Sequence, residues 1–150
     1  MTRSALFLGT KIHHVGLRVA DFVAGKHWYV DMFDLRVDRE FPFNGMDFAF
    51  LSTSESKSSV IELIGDKRLL SEPPREIVLG STGQPGLHHL CFQVSDVDQV
   101  TADLKSRGVK VLIDGVPGAP GSGIEKVSFI ADPWGNVVEL LQVANDTESP

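Results

Sequence analysis

Residues 12–22 read "IHHVGLRVADF" and residues 87–97 read "LHHLCFQVSDV", so one pattern occurs twice at an offset of 75 residues. A second pair of segments, "VIELI" at 60–64 and "VVELL" at 137–141, repeats at an offset of 77. Repetition at such a long offset indicates a duplicated module rather than a short solenoid repeat. The chain is therefore interpreted as two copies of one unit.

The two copies predict the same order of secondary-structure elements. Each begins with an alternating run typical of a strand, continues with apolar residues at helical spacing, and ends with three further extended segments. The sequence therefore predicts an α+β fold built from two tandem βαβββ modules, at about residues 11–64 and 86–143. Residues 65–85 are interpreted as the linker between the modules, and residues 1–150 as one domain.

Local signals indicate where several predicted elements begin and end. Asp21 and Asp96 stand where the N-cap of each helix is expected, because an aspartate side chain can accept a hydrogen bond from a free amide of the first turn. Gly108 is placed to end the second helix. The stretch "GVPGAPGSG" at 115–123 predicts a flexible loop, and "DPWGN" at 132–136 predicts a turn before the last strand.

Composition and charge limit the classes of function. The 150 residues are 42% hydrophobic and 23% charged, which is typical of a globular domain. The formal net charge of −6 argues against a nucleic-acid partner, because no basic cluster exists to neutralise phosphates. No apolar run approaches the roughly 20 residues that a membrane helix needs, so no membrane partner is expected. Cys91, the one cysteine, cannot form an internal disulfide; a cytoplasmic location is expected, and Cys91 is interpreted as buried packing.

Strand geometry divides each pair of histidines. Side chains alternate across a strand, so His13 shares a face with the apolar Val15, whereas His14 shares the other face with Arg18. The apolar face must pack beneath the helix, which leaves His14 on the face that can build a site. The same parity selects His89 in the second copy.

One glutamate stands in the middle of an apolar strand in each copy, Glu62 in "VIELI" and Glu139 in "VVELL". An isolated buried carboxylate carries a desolvation cost of several kcal/mol unless it is paired or bound to a cation. Together with His14 and His89, the glutamates form a set of two imidazoles and two carboxylates, which suits a divalent transition metal. The sequence therefore predicts a metal site formed by these four residues.

A known family shares the complete pattern. The motifs "HHVGLRVAD", "VIEL", "GLHHLCFQVSD" and "DPWGNVVELLQ" resemble the vicinal oxygen chelate superfamily, over about residues 11–143. That superfamily includes glyoxalase I, methylmalonyl-CoA epimerase, extradiol dioxygenases, and the fosfomycin and bleomycin resistance proteins. The resemblance implies an open, barrel-like mixed sheet with flanking helices around a metal. It also implies that His14, Glu62, His89 and Glu139 are the metal ligands, and that the protein is a homodimer.

The filled ligand set favours one type of reaction within the superfamily. Extradiol dioxygenases and fosfomycin resistance enzymes have no metal ligand at the place of Glu62, whereas glyoxalase I and the epimerase have protein ligands at all four places. The resemblance therefore favours an isomerase or lyase that removes and returns a proton alpha to a carbonyl, through an enolate. The metal, which would be Zn, Ni, Co, Mn or Fe, would bind the carbonyl oxygen of a small organic substrate.

Roles follow for the residues on the faces that carry the site. Glu139 and Glu62 are the candidate catalytic bases, because a glutamate released from the metal could carry the proton. Arg18 and Gln93 occupy equivalent places in the two copies and are candidate substrate contacts, although Arg18 could instead compensate the charge of a glutamate. Two rival functions stay open: an iron-dependent dioxygenase, and a metal-free protein that binds a drug and confers resistance.

Overall fold

The computed structural model describes residues 11–56, 61–68 and 86–144. The chain divides into two compact units, Met1–Leu70 and Ser71–Pro150. The described part of each unit contains one helix and one open four-stranded mixed sheet. The α+β fold with two βαβββ modules, predicted from the repeat, is therefore confirmed.

The first unit follows the predicted order of elements. They are β1 (Val15–Val19), α1 (Phe22–Phe33), β2 (Arg36–Phe43), β3 (Met46–Ser52) and β4 (Ile61–Gly65). The strands lie in the spatial order β1-β4-β3-β2, with β1 parallel to β4 and the other neighbours antiparallel. Gly65 therefore belongs to β4 and not to the predicted linker at 65–85, of which 69–85 lie outside the described residues.

The second unit repeats this topology. Its elements are β5 (Leu90–Gln93), α2 (Val97–Ser106), β6 (Lys110–Pro117), β7 (Ile124–Ala131) and β8 (Val137–Val143), in the spatial order β5-β8-β7-β6. The loop predicted at 115–123 is too long, because β6 continues to Pro117, which pairs with Lys126. β6 is an edge strand. An edge strand tolerates a proline at a position where the backbone amide would not donate a hydrogen bond to the neighbouring strand.

The predicted ends of the helices and the last turn are confirmed. The Asp21 carboxylate accepts a hydrogen bond of 3.0 Å from a first-turn amide of α1, and that of Asp96 accepts one of 2.9 Å in α2. Gly108 follows the end of α2 with a φ of +83°, the left-handed conformation that favours glycine. The Asp132 carboxylate accepts bonds from two amides of the turn at 132–136. No helix of the described ranges is long and apolar enough to cross a membrane.

The core of each unit lies between its sheet and its helix. Fully buried apolar residues of the first unit are Val19, Tyr29, Ala49, Leu51, Ile61 and Leu63. Their counterparts in the second unit are Val97, Ile130, Val138 and Leu140. The strand residues in these sets alternate with the candidate site residues along each strand. The candidate residues therefore lie on the sheet face opposite the helix in each unit.

Candidate metal centre

The first predicted histidine and glutamate meet in the first unit. Gly16 and Glu62 are register partners in the parallel pair β1 and β4, and His14 directly precedes β1. His14 Nε2 lies 3.4 Å from Glu62 Oε2, and the two side chains are 32% and 20% exposed. The histidine and the glutamate predicted for the first module are therefore in contact.

The second unit repeats the pair with a shorter contact. Cys91 and Glu139 are register partners in β5 and β8, and His89 directly precedes β5. His89 Nε2 lies 2.8 Å from Glu139 Oε2, and the side chains are 31% and 12% exposed. Each module thus pairs the histidine at the start of its first strand with the glutamate of its last strand.

Each histidine of these pairs also lies against a phenylalanine that the sequence reasoning missed. Phe50 on β3 is the register partner of the first glutamate, and its ring centroid is 5.3 Å from that of His14. Phe129 on β7 is the register partner of the second glutamate, with its centroid 5.5 Å from that of His89. An apolar ring beside a ligand restricts the access of water to it. The alternation in "MDFAFLS" and "EKVSFIAD" indicates which residues share a face of the sheet. Only the register between neighbouring strands places these two phenylalanines beside the site.

The first histidine of each dipeptide contacts the second one. His13 Nδ1 lies 2.7 Å from His14 Nδ1, and His88 Nδ1 lies 2.8 Å from His89 Nδ1. The expectation that His13 belongs to the packed face is wrong, because His13 is exposed and its ring lies 5.8 Å from that of Phe50 on the site face. β1 begins at Val15, so both histidines precede the strand and strand alternation does not fix the orientation of either side chain.

Cys91 differs from its predicted role as buried packing. It is exposed on the edge strand β5, and its parity places it on the same face as Glu139. Partial desolvation, followed by the charge and hydrogen bond of the Glu139 carboxylate, raises the pKa of the Cys91 thiol to about 12. The side chain is therefore a protonated thiol at neutral pH and a neighbour of the candidate metal ligand.

The two predicted substrate contacts have different surroundings. Arg18 is exposed, and its charge helps to lower the pKa of the Asp66 carboxyl, although hydrogen bonds from Arg68 are the main cause. Gln93 lines a surface cavity of about 390 Å³ in the second unit, together with Gln142. Arg18 therefore interacts with a carboxylate just beyond β4, and Gln93 borders open space that a small molecule could enter.

The donor atoms of the two pairs suit a transition metal ion. Coordination bonds of about 2.0–2.1 Å at a tetrahedral angle place two ligand atoms about 3.3 Å apart. The separation of 3.4 Å between His14 Nε2 and Glu62 Oε2 matches that value, whereas the 2.8 Å between His89 and Glu139 is a hydrogen-bond distance that must open slightly. Within the described part of each unit, no three His, Cys, Asp or Glu side chains form a group that could hold a metal ion. Each unit alone therefore supplies two donors.

A family model described as "Glyoxalase/Bleomycin resistance protein/Dioxygenase superfamily" matches residues 13–129. The chain belongs to this superfamily. The mitochondrial methylmalonyl-CoA epimerase of Mus musculus is 26% identical over 137 residues, covering 88% of this chain and 72% of that protein. The ethylmalonyl-CoA/methylmalonyl-CoA epimerase of Cereibacter sphaeroides is 27% identical over 137 residues, covering 89% and 98%. A probable lactoylglutathione lyase of Synechocystis is 26% identical over 135 residues, covering 88% and 95%.

Solved structures of this superfamily share the fold. A glyoxalase family protein from Enterococcus faecalis superposes with a TM-score of 0.69 at 25% identity, covering 89% of this chain and 98% of that one. Glyoxalase I from Zea mays has a TM-score of 0.68 at 23% identity and shows the fold alone; the match covers 90% of this chain and 45% of the maize chain. The family resemblance predicted from the sequence motifs is therefore confirmed, and the curated relatives named above are enzymes.

Proposed function

We propose that the protein is a divalent-metal-dependent isomerase or lyase, which removes and returns a proton alpha to a carbonyl of a small organic substrate. The repeated contact between a histidine Nε2 and a glutamate Oε2, once in each unit, supports this proposal most. Relatives named as epimerases and as a lyase support the same class of reaction.

The proposed ligands are His14, Glu62, His89 and Glu139, all serving one divalent ion that is Zn, Ni, Co, Mn or Fe. Two neutral imidazoles and two carboxylates carry a charge of −2, which balances the charge of such an ion. When bound, the ion supplies Lewis-acid polarisation of the substrate carbonyl, which lowers the free energy needed to remove a neighbouring proton. The phenylalanine beside each histidine keeps one side of each imidazole apolar.

The glutamates are proposed to carry the proton. A carboxylate can act as a general base when one of its oxygens is free to reach the substrate carbon acid. Glu62 is the more exposed of the two and lies farther from its histidine, whereas Glu139 is held at 2.8 Å from His89. The contacts therefore favour Glu62 as the side chain that moves more easily. A base in each unit suits an epimerase, because the proton must leave one face of the carbon and return to the other.

Arg18 and Gln93 are proposed to orient a polar group of the substrate. Arg18 projects an exposed guanidinium, which suits a carboxylate, and Gln93 offers an amide that can bind a carbonyl. We also propose that the protein is a homodimer, as the family resemblance implies, and that it is located in the cytoplasm.

Exchange of the substrate's alpha proton with deuterated solvent tests the reaction. Protein loaded with Zn²⁺, Ni²⁺ or Co²⁺ is incubated with a panel of thioesters, 2-oxo compounds and hemithioacetals, and deuterium incorporation is followed by proton NMR. We expect incorporation into one substrate class, and its loss in Glu139→Gln and in Glu62→Gln. Glu40→Gln is the matched control, because Glu40 is exposed and pairs with Lys26 on the surface. Unchanged exchange in both site variants would overturn the role of the glutamates.

The rival functions give different results in the same preparation. An iron-dependent dioxygenase would consume oxygen only when substrate is added, and would leave the alpha proton unexchanged. A metal-free resistance protein would bind its ligand equally well before and after treatment with a chelator. Either outcome would contradict the proposed isomerase or lyase.

A further inference from the structure

We propose that His13 and His88 are positioning residues, which fix the ring orientation and the tautomer of the neighbouring ligands His14 and His89. This inference rests on the proposed function, because it concerns the ligands of the same ion. It assigns a role to the first histidine of each "HH" dipeptide, which strand alternation had placed with the packed face of the sheet.

The contact between the two histidines has the same geometry in both units. In the first unit, the Nδ1 atoms are 2.7 Å apart and the ring planes cross at 86°. In the second, the Nδ1 atoms are 2.8 Å apart and the planes cross at 87°. Two ring nitrogens at this distance need one proton between them, so one Nδ1 donates and the other accepts.

Metal binding decides the direction of this hydrogen bond. The Nε2 atoms of His14 and His89 face the glutamates, so Nε2 is the atom that would bind the ion. A neutral imidazole that binds through Nε2 must carry its proton on Nδ1. With an ion bound, His14 Nδ1 would therefore donate to His13 Nδ1, and His13 would carry its own proton on Nε2, at an exposed position where it can contact water.

Zn²⁺ affinity of the tag-free, metal-free protein, measured by isothermal titration calorimetry, tests this role. A glutamine side chain places its terminal amide near the position of the imidazole Nε2. The variants His13→Gln and His88→Gln therefore have no hydrogen-bonding atom at the position of the former Nδ1. We expect these variants to bind Zn²⁺ about 10–100-fold more weakly, the usual effect of losing a partner that orients a ligand. Asparagine places its oxygen near the former Nδ1, so His13→Asn and His88→Asn should restore the affinity. His27→Gln, at an exposed position on α1, is the matched control and should bind as the wild type does.

The imidazole ¹⁵N spectrum gives a readout that a merely structural role would not change. In the Zn²⁺-loaded protein we expect Nδ1–H tautomers for His14 and His89, and Nε2–H tautomers for His13 and His88. Wild-type affinity in both glutamine variants, or an Nδ1–H tautomer for His13 and His88 with Zn²⁺ bound, would overturn the inference. A different result would contradict the proposed metal site itself: His14→Ala and His89→Ala would then bind Zn²⁺ as tightly as the wild type does.

Discussion

Substituting Gly65 by alanine should destabilise the first unit through one close contact between α1 and β4. An ideal Cβ at Gly65 would overlap Phe22 Cβ and would lie 3.1 Å from Phe22 Cα. Carbon atoms pack at about 3.5–4.0 Å, so the two elements would have to separate by about 1 Å. Because a backbone atom of the first residue of α1 is involved, rotation of the Phe22 side chain alone cannot relieve the clash.

The expected loss of stability follows from two opposing effects. Overpacking of this kind costs about 1–3 kcal/mol. Replacing a glycine by alanine also restricts the unfolded chain, which favours folding by about 0.4–1 kcal/mol. We therefore expect Gly65→Ala to lose about 1–2 kcal/mol of unfolding free energy. Gly16→Ala is the matched control on the neighbouring strand, because its Cβ would meet nothing closer than Ile64 Cδ1 at 3.5 Å.

Urea unfolding followed by tryptophan fluorescence measures this difference. The chain has two tryptophans, Trp28 on α1 and Trp134 in the second unit, so a Trp134→Phe parent reports on the first unit alone. We expect Gly16→Ala to be at least as stable as this parent, and Gly65→Ala to unfold at a lower urea concentration. Equal midpoints for the two variants would refute the claim that α1 packs against β4 without space for a methyl group.

Two further predictions concern the buried and the charged contacts of the units. The buried Ser128 hydroxyl accepts hydrogen bonds from Thr101 Oγ1 and from the Gly115 amide, both at 2.9 Å. Ser128→Ala leaves that amide without its acceptor and should lower the unfolding free energy by about 1–3 kcal/mol, whereas Thr101→Val should lower it by only about 1 kcal/mol. Urea unfolding of both variants in a Trp28→Phe parent measures these losses. A larger loss for Thr101→Val than for Ser128→Ala would contradict the prediction. Hydrogen bonds from Arg68 hold the pKa of the Asp66 carboxyl below its usual value. The pair therefore stabilises the fold above the usual pKa of an aspartate, and this contribution is lost as the pH falls through the lower pKa of the folded state. Asp66→Asn should therefore have a lower melting temperature than the wild type at pH 7, and the difference should shrink at acid pH. A difference in melting temperature that does not change with pH would exclude this contribution.

Much of the fold was predictable because its signals are local. The aspartate caps, the glycine after α2 and the turn at 132–136 each depend on a few neighbouring residues, and all three occur as predicted. Strand alternation also predicted His14 and His89 as site residues, although both of them directly precede the strands β1 and β5. Each lies in contact with the glutamate of the same unit.

What the sequence did not predict depends on relations between strands. Phe50 and Phe129 contact the site histidines because of the register of β3 with β4 and of β7 with β8, which no single strand encodes. Cys91 is exposed on β5, on the same face of the sheet as Glu139, although its sequence neighbours are apolar. His13 and His14 both precede the first paired residue of β1, so strand alternation does not decide where either side chain points.

Cobalt binding tests the central claim, that the two His–Glu pairs hold a divalent ion, most directly. Metal-free, tag-free protein is dialysed against Co²⁺, and the bound metal per chain is measured together with its visible absorption spectrum. We expect one Co²⁺ per chain in the wild type and a changed spectrum in Glu62→Gln and Glu139→Gln. We expect loss of tight binding in both His14→Ala and His89→Ala. Stoichiometric binding with an unchanged spectrum in both alanine variants, or no binding by the wild type, would contradict it.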